Sequence, residues 1–318
     1  MDISVVVPTF NRREIVMRTL STLFAQDFPA ASYEVIVVVD GSTDGTAEAL
    51  RRMEPPCNFR VIEQENLGLA GARNSGYRAA KTGLVLFLDD DMLCDPHLIA
   101  AHVAAHSRSG LIAGFGALFL SADSPPSLAA ECFKREIGAY HLERKRAPAT
   151  PYRERECVFS NSSLPRELLL ALGGFDEAFR MREDLEFGTR LFASGVLPRY
   201  IDNAIAYQYY KKSSADLIRE AEAFAVADVM YERKHPETES LGELACYQKQ
   251  ARWKCSLHRI AALSPVAADV FLGPLCSMGD AFLGFPILRN PGVRALQMRR
   301  RIHWLRKVLE LGMPQKES

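Results

Sequence analysis

LVLFLDDDML, Leu84 to Leu93, sets five apolar residues directly against three consecutive carboxylates, Asp89, Asp90 and Asp91. An apolar run of this length reads as a strand buried on both faces, the kind that builds a parallel sheet covered by helices. A buried strand that ends in triple negative charge needs solvent or cations at that end. Three readings are open. The acids begin an ordinary solvated turn, where Asp is common. They bind structural calcium, although the DxDxDG loop and distal Glu of an EF-hand are missing. Or one or two of them hold Mg²⁺ or Mn²⁺, ions that bind through a few carboxylates plus phosphate oxygens.

The segments upstream repeat the strand-then-helix rhythm. Ile3 to Val7 is a β-branched run stopped by Pro8, and Asn11 with Glu14 fits a capping box for the helix that follows. Glu34 to Val39 is a second strand ending at Asp40, where GSTDGT opens a helix through Arg52. Phe59 to Glu63 is a third strand, and a glycine-punctuated helix, Leu69 to Lys81, leads into Leu84. Uniformly apolar strands alternating with helices predict a doubly covered, mostly parallel α/β sheet. Ligands of such sheets lie beyond the carboxyl ends of the strands. Here those ends read Pro8-Thr9, Asp40-Gly41-Ser42, Glu63 to Asn66 and Asp89-Asp90-Asp91, a polar site in outline.

Downstream, Asp95-Pro96 reads as the N-cap and first-turn proline of a helix through about His106. A strand at 111–120 is followed by a Pro-, Ser- and charge-rich excursion, 121–156, with helical character only around Leu128 to Leu142. Cys157 to Ser160 reads as a returning strand, and REDLEFGTRLFASG as a helix with two acids in its first turn. Beyond Lys212 the pattern is helical to the end. The predicted organisation is therefore two halves of one α/β domain, 1–100 and 101–212, with a helical extension over 213–318.

Bulk properties narrow the partners. In 318 residues, 39 basic side chains balance 39 acidic ones, which gives no field for nucleic acid. Seven scattered cysteines without a CxxC pair fit reduced thiols in a cytoplasmic protein. No secretory signal or uninterrupted spanning segment is legible; Ser264 to Leu288 is apolar, but Asp269, Asp280 and several Gly and Pro interrupt it. That stretch reads as a packed or interfacial helical hairpin. The basic helix Val293 to Leu309 either lies on an anionic membrane surface or packs its apolar side on the protein, and the two placements are evenly balanced.

VVVPTFNR, VVVDGSTDGT, ENLGLAGARNSG, FLDDDML, GGFDEAF and REDLEFGTRL occur in this order over residues 1–212. Together they resemble the family 2 glycosyltransferases of GT-A fold. The resemblance implies an inverting transferase that takes a nucleotide-diphosphate sugar, UDP before GDP or dTDP, and a divalent ion, Mn²⁺ or Mg²⁺. The acceptor would be a hydroxyl of a glycan or glycolipid. Carried onto this sequence, Pro8, Thr9 and Arg12 line the nucleoside pocket and Asp40 hydrogen-bonds the base. Gly68 and Arg73 lie near the base and diphosphate, Asp89 contacts ribose or metal, and Asp91 is the principal metal ligand. Asp90, between them, projects elsewhere and matters less. Asp184 is the catalytic base, with Glu183 steadying the acceptor or a neighbour. Taken alone, the acid pair would only complement a helix N-terminus.

Two positions depart from the family pattern. Val39 precedes a single Asp40 where two acids are common. Gln208 stands where many relatives place a histidine that completes the metal or diphosphate site, so the third ligand is in doubt. His102 and His106, four apart, read as a solvated helix face, and Asn161-Ser162-Ser163 as a turn, although it coincides with the family's acceptor-side strand. The rival readings are a non-catalytic relative that binds nucleotide sugar or glycan, and a sugar-phosphate nucleotidyltransferase. The second would want a glycine-rich phosphate loop where PTFNRRE has none.

Overall fold

The computed structural model describes residues 2–109, 112–147, 151–153, 156–236, 238, 258 and 260–312. Residues Met1–Asp123 and Ile137–Tyr209 cluster as one compact unit, and Ser124–Glu136 with Tyr210–Ser318 as another. The first contains an eight-stranded sheet in the order β3-β2-β1-β4-β7-β6-β8-β5.

Its first half is parallel, as the apolar strands predict. β1 (Ile3–Thr9) pairs with β2 (Tyr33–Asp40) and β4 (Leu84–Leu88), and β2 with β3 (Asn58–Gln64). β1 and β2 are buried along their whole length, so their β-branched side chains pack on both faces. Pro8 does not end β1; it stays in register with Val38, and the strand closes at Thr9. The crossovers are α1 (Arg13–Phe24), α2 (Thr46–Arg51) and α3 (Gly68–Ala79). The expected capping box before α1 does not form. Asn11 adopts the left-handed conformation, φ 51°, and its side chain accepts from the Thr43 amide instead.

The second half is mixed. β5 (Met92–Cys94) follows the triple aspartate, then α4 (Leu98–Ser109), β6 (Ile112–Leu120) and α5 (Leu128–Arg146). Asp95 caps the amide of His97 rather than a helix turn of its own, so α4 begins later than the sequence suggests. The excursion after β6 holds a 19-residue helix, more order than its periodicity showed. The returning strand is β7 (Asn161–Pro165), not residues 157–160, so Asn161-Ser162-Ser163 is strand rather than turn. It runs antiparallel to both β4 and β6. α6 (Arg166–Ala171), α7 (Glu183–Ala193) and β8 (Leu197–Gln208) complete the unit, with β8 parallel to β6 and antiparallel to β5.

The expectation of a solvated His102 and His106 is overturned. His102 is fully buried, with one ring nitrogen 2.8 Å from the Ser163 hydroxyl and the other 2.9 Å from Asn161 Oδ1. His106 meets the same Ser163 hydroxyl at 2.8 Å. The pair therefore ties α4 to β7.

The second unit has a helical core. α8 (Ser214–Lys234) carries a capping box of Ser213 and Asp216, and α9 (Pro265–Ala281) and α10 (Pro286–Glu310) follow. Ala221, Ala225 and Val229 pack with Trp304, Leu305 and Val308, and the Trp304 indole donates to Asp228 at 2.8 Å. α9 and α10 approach closely where Gly279 faces Gly292, since a side chain at either position would press on the other helix's backbone. Among the described residues, no helix is long and apolar enough to cross a membrane.

Candidate active site

Asp89, Asp90 and Asp91 form the turn where central β4 reverses into β5. The three carboxylates are not equivalent. Asp90 points back into the protein, as the alternation predicts, where it accepts from Thr9 Oγ1 at 2.7 Å and Arg12 at 2.9 Å. Its carbonyl accepts from Thr19 Oγ1 at 2.6 Å. Asp90 thus ties the turn to the end of β1 and the start of α1, a larger structural part than its place between the other two acids suggested.

Asp91 is buried, and one oxygen accepts from the Gln208 amide at 3.1 Å and lies 3.5 Å from Arg12. Its other oxygen, Oδ1, is buried with no hydrogen-bond partner among the described residues. Burial first, then the charges of Asp90 and Asp89, push the Asp91 carboxyl up to about 7. Gln208 reaches this position because β8 pairs with β5, Met92 opposite Gln208, and the Tyr209 amide donates to the Asp91 carbonyl at 2.7 Å.

Asp89 has a different cationic partner. It shares Arg73 with the acid pair at the start of α7: Arg73 lies 3.0 Å from Asp89, 3.0 Å from Glu183 and 2.7 Å from Asp184. Arg73 is 1 % exposed and sits on the face of Phe175, 5.3 Å from the ring centroid. Burial opposes its charge, but Asp184, Asp89 and Glu183 overcome that and hold the guanidinium above the ordinary arginine range. The second Asp184 oxygen accepts from the Phe159 amide at 3.2 Å, which fixes the carboxylate at both ends. Burial raises the Asp184 pKa despite Arg73, and raises Glu183, with Asp184's charge, to about 8.

The remaining expected residues surround this pair of clusters. Pro8 and Thr9 end β1, and Arg12, on the first turn beyond it, reaches Asp90 and Asp91. Asp40, at the end of β2, accepts from Gln64 and from the amides of Leu67 and Gly68, so it holds the loop that opens α3. Gly68 has φ 81°, and a side chain there would strike Arg180.

Several contributors escaped the sequence reading. Asn74 bonds the Phe175 amide and carbonyl and thereby pins the GGFDEAF loop to α3. Phe87, Phe159, Phe175 and Phe187 form an edge-to-face and tilted cluster beneath the acids. Phe87 stands two residues before Asp89 and Phe187 three after Asp184, so the FLDDD and EDLEF strings carried part of the signal; Phe175 lies in GGFDEAF, and Phe159, outside all three, supplies the amide that Asp184 accepts. Beside Phe159 lies an apolar cavity of about 170 Å³, lined by Phe115, Tyr140, His141, Tyr152 and Val158.

Five carboxylates (Asp89, Asp90, Asp91, Glu183 and Asp184) therefore meet two guanidinium groups, Arg12 and Arg73, and negative charge is in excess. Among the described residues, no group of three or more His, Cys, Asp or Glu side chains forms a metal cage. The orphaned buried oxygen of Asp91, with the half-buried Asp89 on the same turn, suits an ion that takes its other ligands from phosphate and water. The donor set fits Mg²⁺ or Mn²⁺ on those grounds.

This parallel half-sheet, turning at an acidic strand end and completed by a mixed half, is the GT-A fold. Residues 4–169 match the family model described as glycosyl transferase family 2, more than half of the chain, and the chain belongs to that family. Validoxylamine A glucosyltransferase of Streptomyces hygroscopicus subsp. jinggangensis is 32% identical over 222 residues, covering 61% of this chain and 52% of that one. Chondroitin synthase of Escherichia coli is 30% identical over 239 residues, covering 64% and 34%. The chain thus spans about half the length, or less, of these curated relatives. Among solved structures, the mannosyltransferase PcManGT from Pyrobaculum calidifontis, in complex with GDP-Man and Mn²⁺, superposes with TM-score 0.64 at 22% identity, over 96% of this chain and 86% of that one. TarS 1-349 of S. aureus with UDP-GlcNAc gives 0.55 at 17% identity, over 95% and 90%.

Proposed function

We propose that the chain is an inverting glycosyltransferase that moves a sugar from a nucleotide-diphosphate donor, UDP-linked first, to a hydroxyl of a glycan or lipid-linked acceptor. The observation that carries this reading is Arg73. A single buried guanidinium joins Asp89, on the nucleotide side, to Asp184, on the acceptor side.

In this reading the first half of the sheet unit, through about residue 100, binds donor, and the second half, through 212, binds acceptor. Pro8, Thr9, Arg12, Asp40 and Gly68 receive the nucleoside. Asp91 and Asp89, with Gln208 beside them, hold the divalent ion, and Gln208 contributes a ligand oxygen only if its amide turns over. When bound, that ion neutralises charge gathering on the diphosphate leaving group.

Asp184 takes the proton from the acceptor hydroxyl. The acceptor oxygen bonds to the anomeric carbon as the bond from that carbon to the diphosphate oxygen breaks, and the configuration inverts. The raised Asp184 pKa makes it a stronger base than a solvated aspartate, while Arg73 and the Phe159 amide aim it. Glu183 shares Arg73 and steadies the pair. The aromatic cavity beside Phe159 receives an apolar face of the acceptor.

The test is a thermal-shift panel of UDP-, GDP- and dTDP-sugars with and without Mn²⁺. Binding the native state at about 100 Kd stabilises it by roughly 2.7 kcal/mol. One nucleotide class is expected to raise Tm, and more so with Mn²⁺. No shift with any donor, with or without metal, would overturn the reading.

A further inference from the structure

We propose that the helical hairpin of α9 and α10 docks onto an anionic phospholipid bilayer, its apolar tip entering the interface and its arginine stripe lying on the headgroups. The proposal rests on the surface of the helical unit and not on the transferase reading.

The exposed surface of α9 and the hairpin turn is largely apolar. Leu263 is 81% exposed just before α9, and Val266, Val270 and Phe271 follow it at helical spacing, Phe271 at 77%. Both acids of α9 are engaged elsewhere. Asp269 bonds Arg299 and His303, and Asp280 accepts from the Leu128 amide and the Ser214 hydroxyl. The hairpin turn is also exposed and apolar, with Phe285 at 62% and Phe282 beside it. A soluble surface rarely leaves so many large apolar groups together.

The basic side continues from the tip. Ile287, Arg294 and Arg301 are seven residues apart on α10, so they share one face, apolar at the turn and cationic beyond it. Ile287 is 81% exposed. Arg294 and Arg301, with Arg300 and His258, line an open cavity of about 450 Å³, in which Glu136 is 3.4 Å from Arg300. An apolar tip meeting a row of arginines matches the boundary between acyl chains and acidic headgroups. The close pass of Gly279 and Gly292 fixes the two helices to each other, and it is the tip, with Phe282, Phe285 and Ile287, that runs on into the Arg294 and Arg301 face of α10. Charge complementarity selects the occupant, because a second copy would bring like charge against Arg294 and Arg301.

Co-sedimentation of the whole chain with vesicles tests this. Vesicles of phosphatidylcholine with about a third phosphatidylglycerol should carry the protein down, and phosphatidylcholine alone at least ~10-fold less. Raised salt should release it. Phe282→Ser with Phe285→Ser should weaken binding roughly tenfold or more, as should Arg294→Glu with Arg301→Glu. All these side chains reach the surface, so Tm should hold, and that control separates lost docking from lost folding. Absence of sedimentation with the anionic vesicles, or binding indifferent to both pairs of substitutions, would overturn the proposal. So would a concentration-dependent dimer that the phenylalanine pair abolishes in the absence of vesicle binding, which would make a second copy the occupant.

Discussion

Arg73 is charged, buried and bonded to three carboxylates, so its removal leaves Glu183 and Asp184 without their counter-charge. Breaking such a cluster from one side costs about 3–5 kcal/mol. Arg73→Met is therefore expected to lower the unfolding free energy by that much, read as a lower denaturant midpoint with the m-value unchanged; a loss under about 1 kcal/mol would mean the acids carry little charge against it. Gln208 makes the opposite test, a gain. Imidazole is a better ligand for first-row metals than a neutral amide, so Gln208→His should lower the Mn²⁺ concentration that half-saturates activity by several-fold. An unchanged titration would remove residue 208 from the metal's surroundings. At this scale the acids of the site were legible because strand ends and helix starts announce themselves in sequence. Asp90 was harder to read, since its role depends on Thr9, Arg12 and Thr19 arriving from another element.

Elements set the acids in place through packing that single residues do not advertise. Phe159 is fully buried among Phe87, Phe175 and Phe187, and its own amide holds Asp184. Phe159→Ala opens a cavity at a cost of about 3–5 kcal/mol, and it should lower kcat more than the KM for donor, because Asp184 loses its mount while the nucleotide side keeps its own. Equal losses in both would place Phe159 in general stability alone. The α4–β7 tie gives a pH prediction. Burial holds His102 down to about 4 against an ordinary 6.5. Between those values the unfolded chain binds a proton that the folded chain refuses, so stability rises with pH there and falls as pH drops from 6.5 toward 4. The change amounts to roughly 3 kcal/mol for this residue, and His102→Gln should flatten the curve by that amount when denaturation is followed from pH 7 to pH 4. A curve of unchanged slope would contradict the burial argument. Both histidines were misread from sequence for one reason. A four-residue spacing defines a helix face, but only the sheet's register decides that β7, with Ser163 and Asn161, covers it.

For the molecule as a whole, the parallel half-sheet could be foreseen because crossover helices and doubly buried strands leave periodic traces over residues 1–100. The mixed half could not. β7 carries Asn161, Ser162 and Ser163 where a buried strand would be expected to carry aliphatics; His102, Ala117 and Ala204 satisfy Asn161 and Ser163, while the buried Ser162 hydroxyl has no partner among the described residues. Local sequence held the strand's residues but not their partners, so the strand was displaced to 157–160. The same limit applies to α5, whose pattern mixes surfaces belonging to two compact units. The central claim is that donor-side and acceptor-side acids act together across Arg73. It is tested most directly by assaying nucleoside-diphosphate release from the nucleotide sugar that shifts Tm, with Mn²⁺, in the wild type, Asp91→Ala and Asp184→Asn. The account expects metal-dependent release in the wild type, loss of both donor binding and release in Asp91→Ala, and retained donor binding with release down at least ~10²-fold in Asp184→Asn. Release undiminished in Asp184→Asn, or donor binding undiminished in Asp91→Ala, would contradict it.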